Sequence, residues 1–328
     1  MSKGKATAVA NPNIAFIKYW GKADAVLNLP ANPSLSMNLA ALTTATTVEF
    51  RSGLPGDMVT IDGEPAAGQA RERVVQQLSR VRAMAGTDEN ARVVSQNDFP
   101  AGTGLASSAS AFAALSLAAT RAAGLVLPDG ELSRLARLGS GSACRSVPAG
   151  FVLWEGDTDA TSMAHQVAPP DHWDLYDLVV IVSHEHKRVG SHQGHEVAAT
   201  SPFYPARLAA IPELLAAVRS GLAERDLPSM GPAIEADALA MHSVMMTSDP
   251  SLLYWEEGTM AVLQSVRAWR RLGLDVFFTI DAGPNVHCIC ERSDAAQVES
   301  RLRALPGVQD VLASGPGDGV RLVDYYLF

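Results

Sequence analysis

The stretch NDFPAGTGLASSASAFAAL, residues 97–115, limits what this chain can fold into more than any other. Loop residues run directly into a segment of Ala, Ser, Leu and Phe that reads as a helix small on nearly every face. Short side chains reach only near neighbours. Either other elements pack closely around this helix, or something anionic sits on its first turn. The second reading has a physical basis, because helix N-termini carry unpaired N–H groups and partial positive charge. Glycines there let a phosphate approach the backbone, and serine hydroxyls add donors. The stretch lacks the lysine of G-x-x-x-x-G-K-[ST], so it is no Walker A loop, and Ser107 stands where G-x-G-x-x-G needs a third glycine. On these residues alone, tight packing and a phosphate cradle stand even.

The chain has 328 residues, more than one hydrophobic core usually holds, so two domains are expected. Residues 6–17 alternate loosely, as one strand. TTATTVEF (43–50) is β-branched and strand-like. ARERVVQQLSRVRAMAG has helical spacing, with Val74, Val75, Leu78, Val81 and Met84 on one side. ARVVSQN reads as a strand, DGELSRLARLGSG as a helix and GFVLWEG as a strand. In the second half LYDLVVIVS (175–183) is a buried strand, helices are expected over 203–223, 230–246 and 294–305, and DVFFTID, VHCICE and GVRLVDYYLF read as strands. Helices and strands are interspersed in both halves, which predicts an α/β or α+β fold with domains over 1–182 and 183–328.

Charge narrows the partners. The net charge is −9 and no basic run exists to neutralise phosphates, so neither nucleic acid nor an anionic membrane surface is favoured. No apolar run approaches the roughly 18 residues of a membrane span, and residues 1–16 lack the apolar core of a signal peptide. Cys144, Cys288 and Cys290 form no C-x-x-C pair, which suits a reducing cytoplasm.

Four further stretches have the chemistry for a site. In NIAFIKYWGK, Lys18 and Lys22 flank Tyr19, Trp20 and Gly21; two ammonium groups there suit a phosphorylated ligand, although a solvated strand end is the favoured reading from spacing alone. In GSGSACRS, residues 139–146, Ser140, Ser142 and Arg145 suit a carboxylate or phosphate, or simply a polar loop. In DAGPN, Asp281 follows a strand and precedes a Gly-Pro turn, the place of a base or of an Asx turn. His184, His186, His192 and His195 cluster after a strand, yet match no metal-ligand spacing.

Taken together and in order, these stretches resemble the mevalonate diphosphate decarboxylase family of the GHMP kinase superfamily. NIAFIKYWGK and LNLPANPSLS resemble its N-terminal signature, FPAGTGLASSASAFAAL its phosphate loop, GSGSACRS its arginine motif and DAGPN its aspartate motif. The resemblance implies a GHMP fold: an N-terminal domain like the second domain of ribosomal S5, a C-terminal ferredoxin-like domain, and ligands in the cleft between them. It implies ATP held at Gly102, Gly104, Ser107 and Ser108, with Mg²⁺ bridging its oxygens. It makes Asp281 the group that orients or deprotonates a substrate hydroxyl, Arg145 the partner of the substrate carboxylate and of Asp281, and Asn13 a residue that positions substrate. Tyr19, Lys22, Ser140, Ser142, Ser191 and His192 would surround the substrate's phosphate end. It also implies a homodimer.

One departure bears on the substrate. Diphosphate-using members often read S-S-R-x-G-M where this chain reads GSHQGH, residues 190–195. Ser191 is kept, but Gly190 replaces a hydroxyl, His192 an arginine and His195 a methionine. A neutral histidine grips a second phosphate less well than arginine. The resemblance therefore leans toward the branch that decarboxylates 5-phosphomevalonate, with 5-diphosphomevalonate as the rival substrate. A kinase that stops at phosphoryl transfer, a histidine-bound zinc hydrolase and an inactive nucleotide-binding regulator are the more distant alternatives.

Overall fold

The structure, a computed structural model, describes residues 4–99, 107–185 and 189–328. Gly102 and Gly104 of the phosphate-loop motif, and His186, fall outside the described residues. Eight helices are described: α1 (Gly68–Ala85), α2 (Ser107–Ala122), α3 (Asp129–Gly139), α4 (Ser191–Val197), α5 (Tyr204–Glu224), α6 (Leu227–Thr247), α7 (Glu257–Arg270) and α8 (Arg292–Arg303).

The small-faced helix is α2, and close packing accounts for its composition. It is enclosed by the strands Lys5–Ala10 and Thr44–Phe50, by α1 and α3, and by a 3₁₀ helix at Gly141–Ser146. Twelve of its sixteen residues are buried, which leaves room for few large or charged side chains beyond Phe112 and Arg121. Its polar residues are satisfied at short range. The Ser116 hydroxyl donates to the Phe112 carbonyl at 2.6 Å and accepts from Gln77 Nε2 at 2.8 Å. Ser110 and Thr44 hydroxyls meet at 2.6 Å. Gly139, at the end of α3, lies so close that a Cβ would stand 2.2 Å from the Phe112 ring.

Three main sheets carry the helices. The first runs, in spatial order, Arg321–Val323, Lys5–Ala10, Thr44–Phe50, Ala91–Asn97, Met58–Ile61 and Glu64–Pro65. The second runs Met163–Ala168, Phe151–Glu155, Ser34–Asn38 and Asn13–Ile17, and the third Val276–Ile280, Val286–Glu291, Leu175–Ile181 and Asp310–Ser314. Among the described strands only Met58–Ile61 and Ala91–Asn97 pair in parallel, so α+β is the apt class. α5 and α6 pack between the second and third sheets. Ile14, Leu35 and Phe151 from one sheet and Val179, Phe277 and Ile289 from the other join Ile211 and Ile234 of these helices in a single buried cluster. α7 and α8 cover the opposite face of the third sheet.

Three differences from the sequence reading have local causes. Residues 6–17 form two strands in different sheets, because Pro12 has no N–H to give a ladder and Asn11 turns inward to donate to the Leu39 and Leu42 carbonyls at 3.0 and 2.7 Å. GVRLVDYYLF yields only the short strand Arg321–Val323. α7 was not anticipated; its capping box puts Glu256 at the N-cap and Thr259 at the third position, the reverse of the usual order. Leu175–Ile181 pairs with Val286–Glu291 and with Asp310–Ser314. A division at residue 182 would part it from both neighbours, so we propose that the boundary between the two units precedes residue 175.

Candidate active site

A cavity of about 590 Å³ opens between the two units, and its walls bring together stretches far apart in sequence. Asp281 enters from the turn after Val276–Ile280, Arg145 and Ser142 from the 3₁₀ helix, and Ser140 from its N-terminal end. Ser107 and Ser108 enter from the first turn of α2, Tyr19 from the turn after Asn13–Ile17, Lys22 from the short strand Lys22–Asp24 that follows, and Ser191 and His192 from α4. Among the described candidates, only Asn13 does not line the cavity.

Asp281 is held at both ends. Its carboxylate lies 2.6 Å from Lys18 Nζ, while Nε2 of buried His242 on α6 lies 3.2 Å from its main-chain carbonyl. The Gly283 N–H makes the turn to that same carbonyl at 2.8 Å, so the side chain is not spent on an Asx turn and stays directed at Lys18. Burial alone would raise the Asp281 carboxyl, but Lys18, His287 and Arg145 outweigh it and hold it below the usual carboxylate range. Burial lowers the Lys18 pKa despite the opposing pull of Asp281 and Asp237. Burial also holds His242 down at about 4, with Lys18 adding to the effect, so it is a neutral donor at physiological pH. Asp281 is thus an ionised acceptor facing a cavity, which suits a proton-accepting or orienting role toward a hydroxyl.

Arg145 is fixed from behind. Its Nε and Nη2 donate to Asn13 Oδ1 at 3.2 and 3.0 Å, Nε also to the Ser36 hydroxyl at 3.1 Å, and Nη1 to the Ser34 hydroxyl at 2.8 Å. Asn13 is held in turn by donating to the Ser146 hydroxyl at 2.8 Å. Asn13 therefore orients the arginine. Among the described residues these bonds leave one N–H on each terminal nitrogen unspent, on a side chain that lines the cavity. The direct ionic partner of Asp281 is Lys18, with Arg145 contributing a weaker field.

The opposite end of the cavity is cationic and clasped by aromatic rings. His195 is half-buried, its Nδ1 accepts the Gly21 N–H at 3.0 Å, and its ring lies 4.2 Å from that of Tyr19 and 4.7 Å from that of Trp20. Burial first, then Lys22, keeps it neutral well below the ordinary histidine range. Lys22 Nζ sits 3.2 Å from His192 Nδ1, and His192 Nε2 lies 3.7 Å from Glu196. Burial, Lys22 and Arg73 lower the His192 pKa as well. Arg73 lines the same end and spends one N–H on the Gly139 carbonyl at 2.9 Å. Among the described residues the buried Tyr19 hydroxyl has no hydrogen-bond partner, and burial keeps it a phenol. An orphaned hydroxyl in the same cavity wall as the Lys22 ammonium and the Arg73 guanidinium matches a phosphate ester.

Gly194 sets how closely α4 approaches. A Cβ there would stand 2.4 Å from Trp20 Cη2 and 3.2 Å from Leu252 Cδ1. Gly194→Ala is expected to push α4 off the Trp20 ring, costing roughly 1–3 kcal/mol of stability. The KM for the phosphorylated substrate should rise more than kcat falls. A thermal melt with steady-state kinetics checks this, and a variant with unchanged Tm and KM would show that α4 does not shape this end.

Among the described residues no group of three or more His, Cys, Asp or Glu is placed to hold a metal ion. His192 and His195 line the cavity, whereas His184 belongs to a separate one with Glu185 and Glu256. Mg²⁺ would thus depend on phosphate oxygens, with the Ser107 and Ser108 hydroxyls at the cavity wall beside them. Lys18, His195 and Arg73 line the cavity but lie outside the residues that the family resemblance assigned. Lys18 had a signal, as a lysine four residues before Lys22; Arg73 had only its place on a helix, and His195 a histidine in a methionine's place.

Two family descriptions match the chain: "Diphosphomevalonate decarboxylase-like N-terminal domain" over residues 10–164 and "Mevalonate 5-diphosphate decarboxylase C-terminal domain" over 177–314. A diphosphomevalonate decarboxylase of Aspergillus fumigatus is 36% identical, with 95% of this chain and 83% of that protein covered. A phosphomevalonate decarboxylase of Haloferax volcanii is 35% identical, with 91% and 92% covered. The structure of the mevalonate diphosphate decarboxylase from Enterococcus faecalis, solved for its mevalonate diphosphate-mediated ATP binding, superposes with a TM-score of 0.92 at 36% identity over 98% of this chain and 99% of that one. With both halves matched in order and the fold shared end to end, the chain belongs to the mevalonate diphosphate decarboxylase family, ATP-dependent decarboxylases of GHMP kinase fold.

Proposed function

We propose that the chain converts 5-phosphomevalonate and ATP to isopentenyl phosphate, CO₂, ADP and phosphate. The observation that carries the choice of ester is α4. Gly190 brings no side chain to the cavity, and His192 is neutral and already engaged by Lys22 and Glu196. The identities to the Aspergillus and Haloferax proteins, 36% and 35%, do not choose between the two esters.

The chemistry follows from the side chains. The tertiary 3-hydroxyl lies against Asp281, which takes its proton or aligns it, and Lys18 stabilises the carboxylate in its ionised form. The phosphoryl group for that hydroxyl comes from ATP, for which Ser107, Ser108 and the first turn of α2 would hold the phosphates. The free N–H groups of Arg145 hold the substrate carboxylate in line with the breaking bond. The 3-phosphate leaves with the C–O electron pair, the carboxylate departs as CO₂, and the electrons of its bond become the alkene.

A second reading, with 5-diphosphomevalonate as substrate, has Arg73 and Arg80 in its favour, since both line the cavity. ATP-dependent CO₂ release from the two esters side by side decides. The expected result is a higher kcat/KM for the monophosphate; a preference of about tenfold or more for the diphosphate would replace this reading with the second. His192→Arg with Gly190→Ser should move preference toward the diphosphate by about ten- to a hundredfold, the worth of one charge-assisted contact of roughly 1.5–3 kcal/mol. Any diphosphate activity of the wild type should rise as His192 gains a proton. Its surroundings lower its pKa, so the rise belongs below the ordinary histidine value of about 6.5.

A further inference from the structure

Lys18 is the first residue past the strand Asn13–Ile17, whose ladder is bulged between Ala15 and Ile17. Its peptide groups are held by side chains from three other places. Its N–H donates to Asp237 Oδ2 on α6 at 2.6 Å. Its carbonyl accepts from Arg207 Nη2 on α5 and from Asn32 Nδ2, both at 2.9 Å. Arg207 also donates to Asn32 Oδ1 at 3.2 Å and pairs with Asp237 Oδ1 at 2.8 Å, with both side chains at most 1% exposed.

A buried ion pair of this kind is a poor source of stability, because desolvating both charges cancels most of the attraction; its best-attested use is to fix one arrangement. What this pair fixes is the peptide unit that carries the Lys18 side chain. α6 does more than supply Asp237. Five residues on, roughly 7.5 Å along the helix, His242 holds the main-chain carbonyl of Asp281. One rigid helix therefore grips the backbones of both residues whose side chains meet across 2.6 Å.

We propose that Asp237, with Arg207 and Asn32, is a positioning device that sets the Lys18–Asp281 contact from α6, and that it acts on the reaction only through Lys18. The proposal rests on the reading of Asp281 as the group that serves the 3-hydroxyl, but its first test needs no turnover. In Asp237→Asn, Lys18 loses its fixed anchor and drifts from Asp281. The titration midpoint of the Asp281 carboxyl, followed by ¹³C NMR and assigned with Asp281→Asn, should then move up. Removing a negative charge without any movement would shift it down, so the sign separates positioning from bulk electrostatics. A midpoint that is unchanged or lower overturns the proposal.

The second test is a kinetic cycle. Asp237→Asn alone should lower kcat by roughly 10- to 100-fold, the scale of a misplacement near 1 Å, with KM values within about twofold of the wild type. In a Lys18→Met background the same change should cost less than about twofold. Equal losses in both backgrounds would mean that Asp237 supports the fold and not Lys18. Should Asp237→Asn melt too readily to assay, Asn32→Ala removes one of the two bonds to the Lys18 carbonyl and is read by the same two measurements. Absence of CO₂ release from either ester in the wild type would count against the proposed reaction, while the NMR midpoint would still decide the positioning role.

Discussion

Asp281→Asn is expected to lower turnover by about 10²–10⁴-fold, the usual cost of losing a positioned acid or base. The amide keeps the shape and can still accept a hydrogen bond, but it cannot take a proton from the 3-hydroxyl. The variant also strips Lys18 of its counter-ion, and that lysine is 1% exposed. A buried unpaired ammonium is costly, so Lys18 should surrender its proton more readily in the variant and the Tm should fall modestly. The wild type shows the same linkage with pH. The folded-state pKa of Asp281 is depressed, so its stabilising contribution is complete above the unfolded value of about 3.9 and is lost as pH falls through the lower, folded value. Asp281→Asn lacks that contribution at every pH. Single-turnover CO₂ release and ATP binding, measured together, check the prediction. Near wild-type turnover would remove Asp281 from the chemistry.

Arg145→Lys should be nearly as severe, with kcat down by about 10² or more although the charge is kept. The guanidinium reaches Asn13, Ser34 and Ser36 at once, in one plane, and still presents N–H groups to the cavity. An ammonium ends in a single nitrogen and cannot span those three acceptors. Asn13 Oδ1 would be left buried without its donor, a cost of roughly 1–3 kcal/mol that a melt should register. Saturating substrate should not rescue the rate. A defect confined to KM would assign Arg145 to uniform binding alone.

Much of this site was legible because its parts come as contiguous words. KYWGK, GSGSACRS and DAGPN place four, five and two wall residues through local geometry alone, and their order matched a family pattern. The unreadable parts depend on distance. The Lys18–Asp281 contact joins residues 263 positions apart, and no periodicity reports it. Asn13 read as a residue that positions substrate, but the motif names a residue and not its direction; in the structure its side-chain oxygen accepts from Arg145. On the opening question the described residues show close packing along most of α2, while Ser107 and Ser108 on its first turn face the cavity. The carboxamide of Asn11 and the missing N–H of Pro12 divided one apparent strand into two, a break that alternation of apolar residues does not show.

The strand Lys5–Ala10 lies between Thr44–Phe50 and Arg321–Val323, pairing Thr7 with Thr47 on one side and with Val323 on the other. That last strand follows the whole third sheet in sequence, and it falls outside both matched stretches, 10–164 and 177–314. During synthesis, the first sheet must therefore wait with an open edge until everything between has been made. Its final seam joins residues more than 300 apart, a loop-closure cost that falls late and slows completion. The second unit sits as an insertion within the first, so a proteolytic nick between them would not release two independent pieces: the first would keep its exposed edge, a template for another chain.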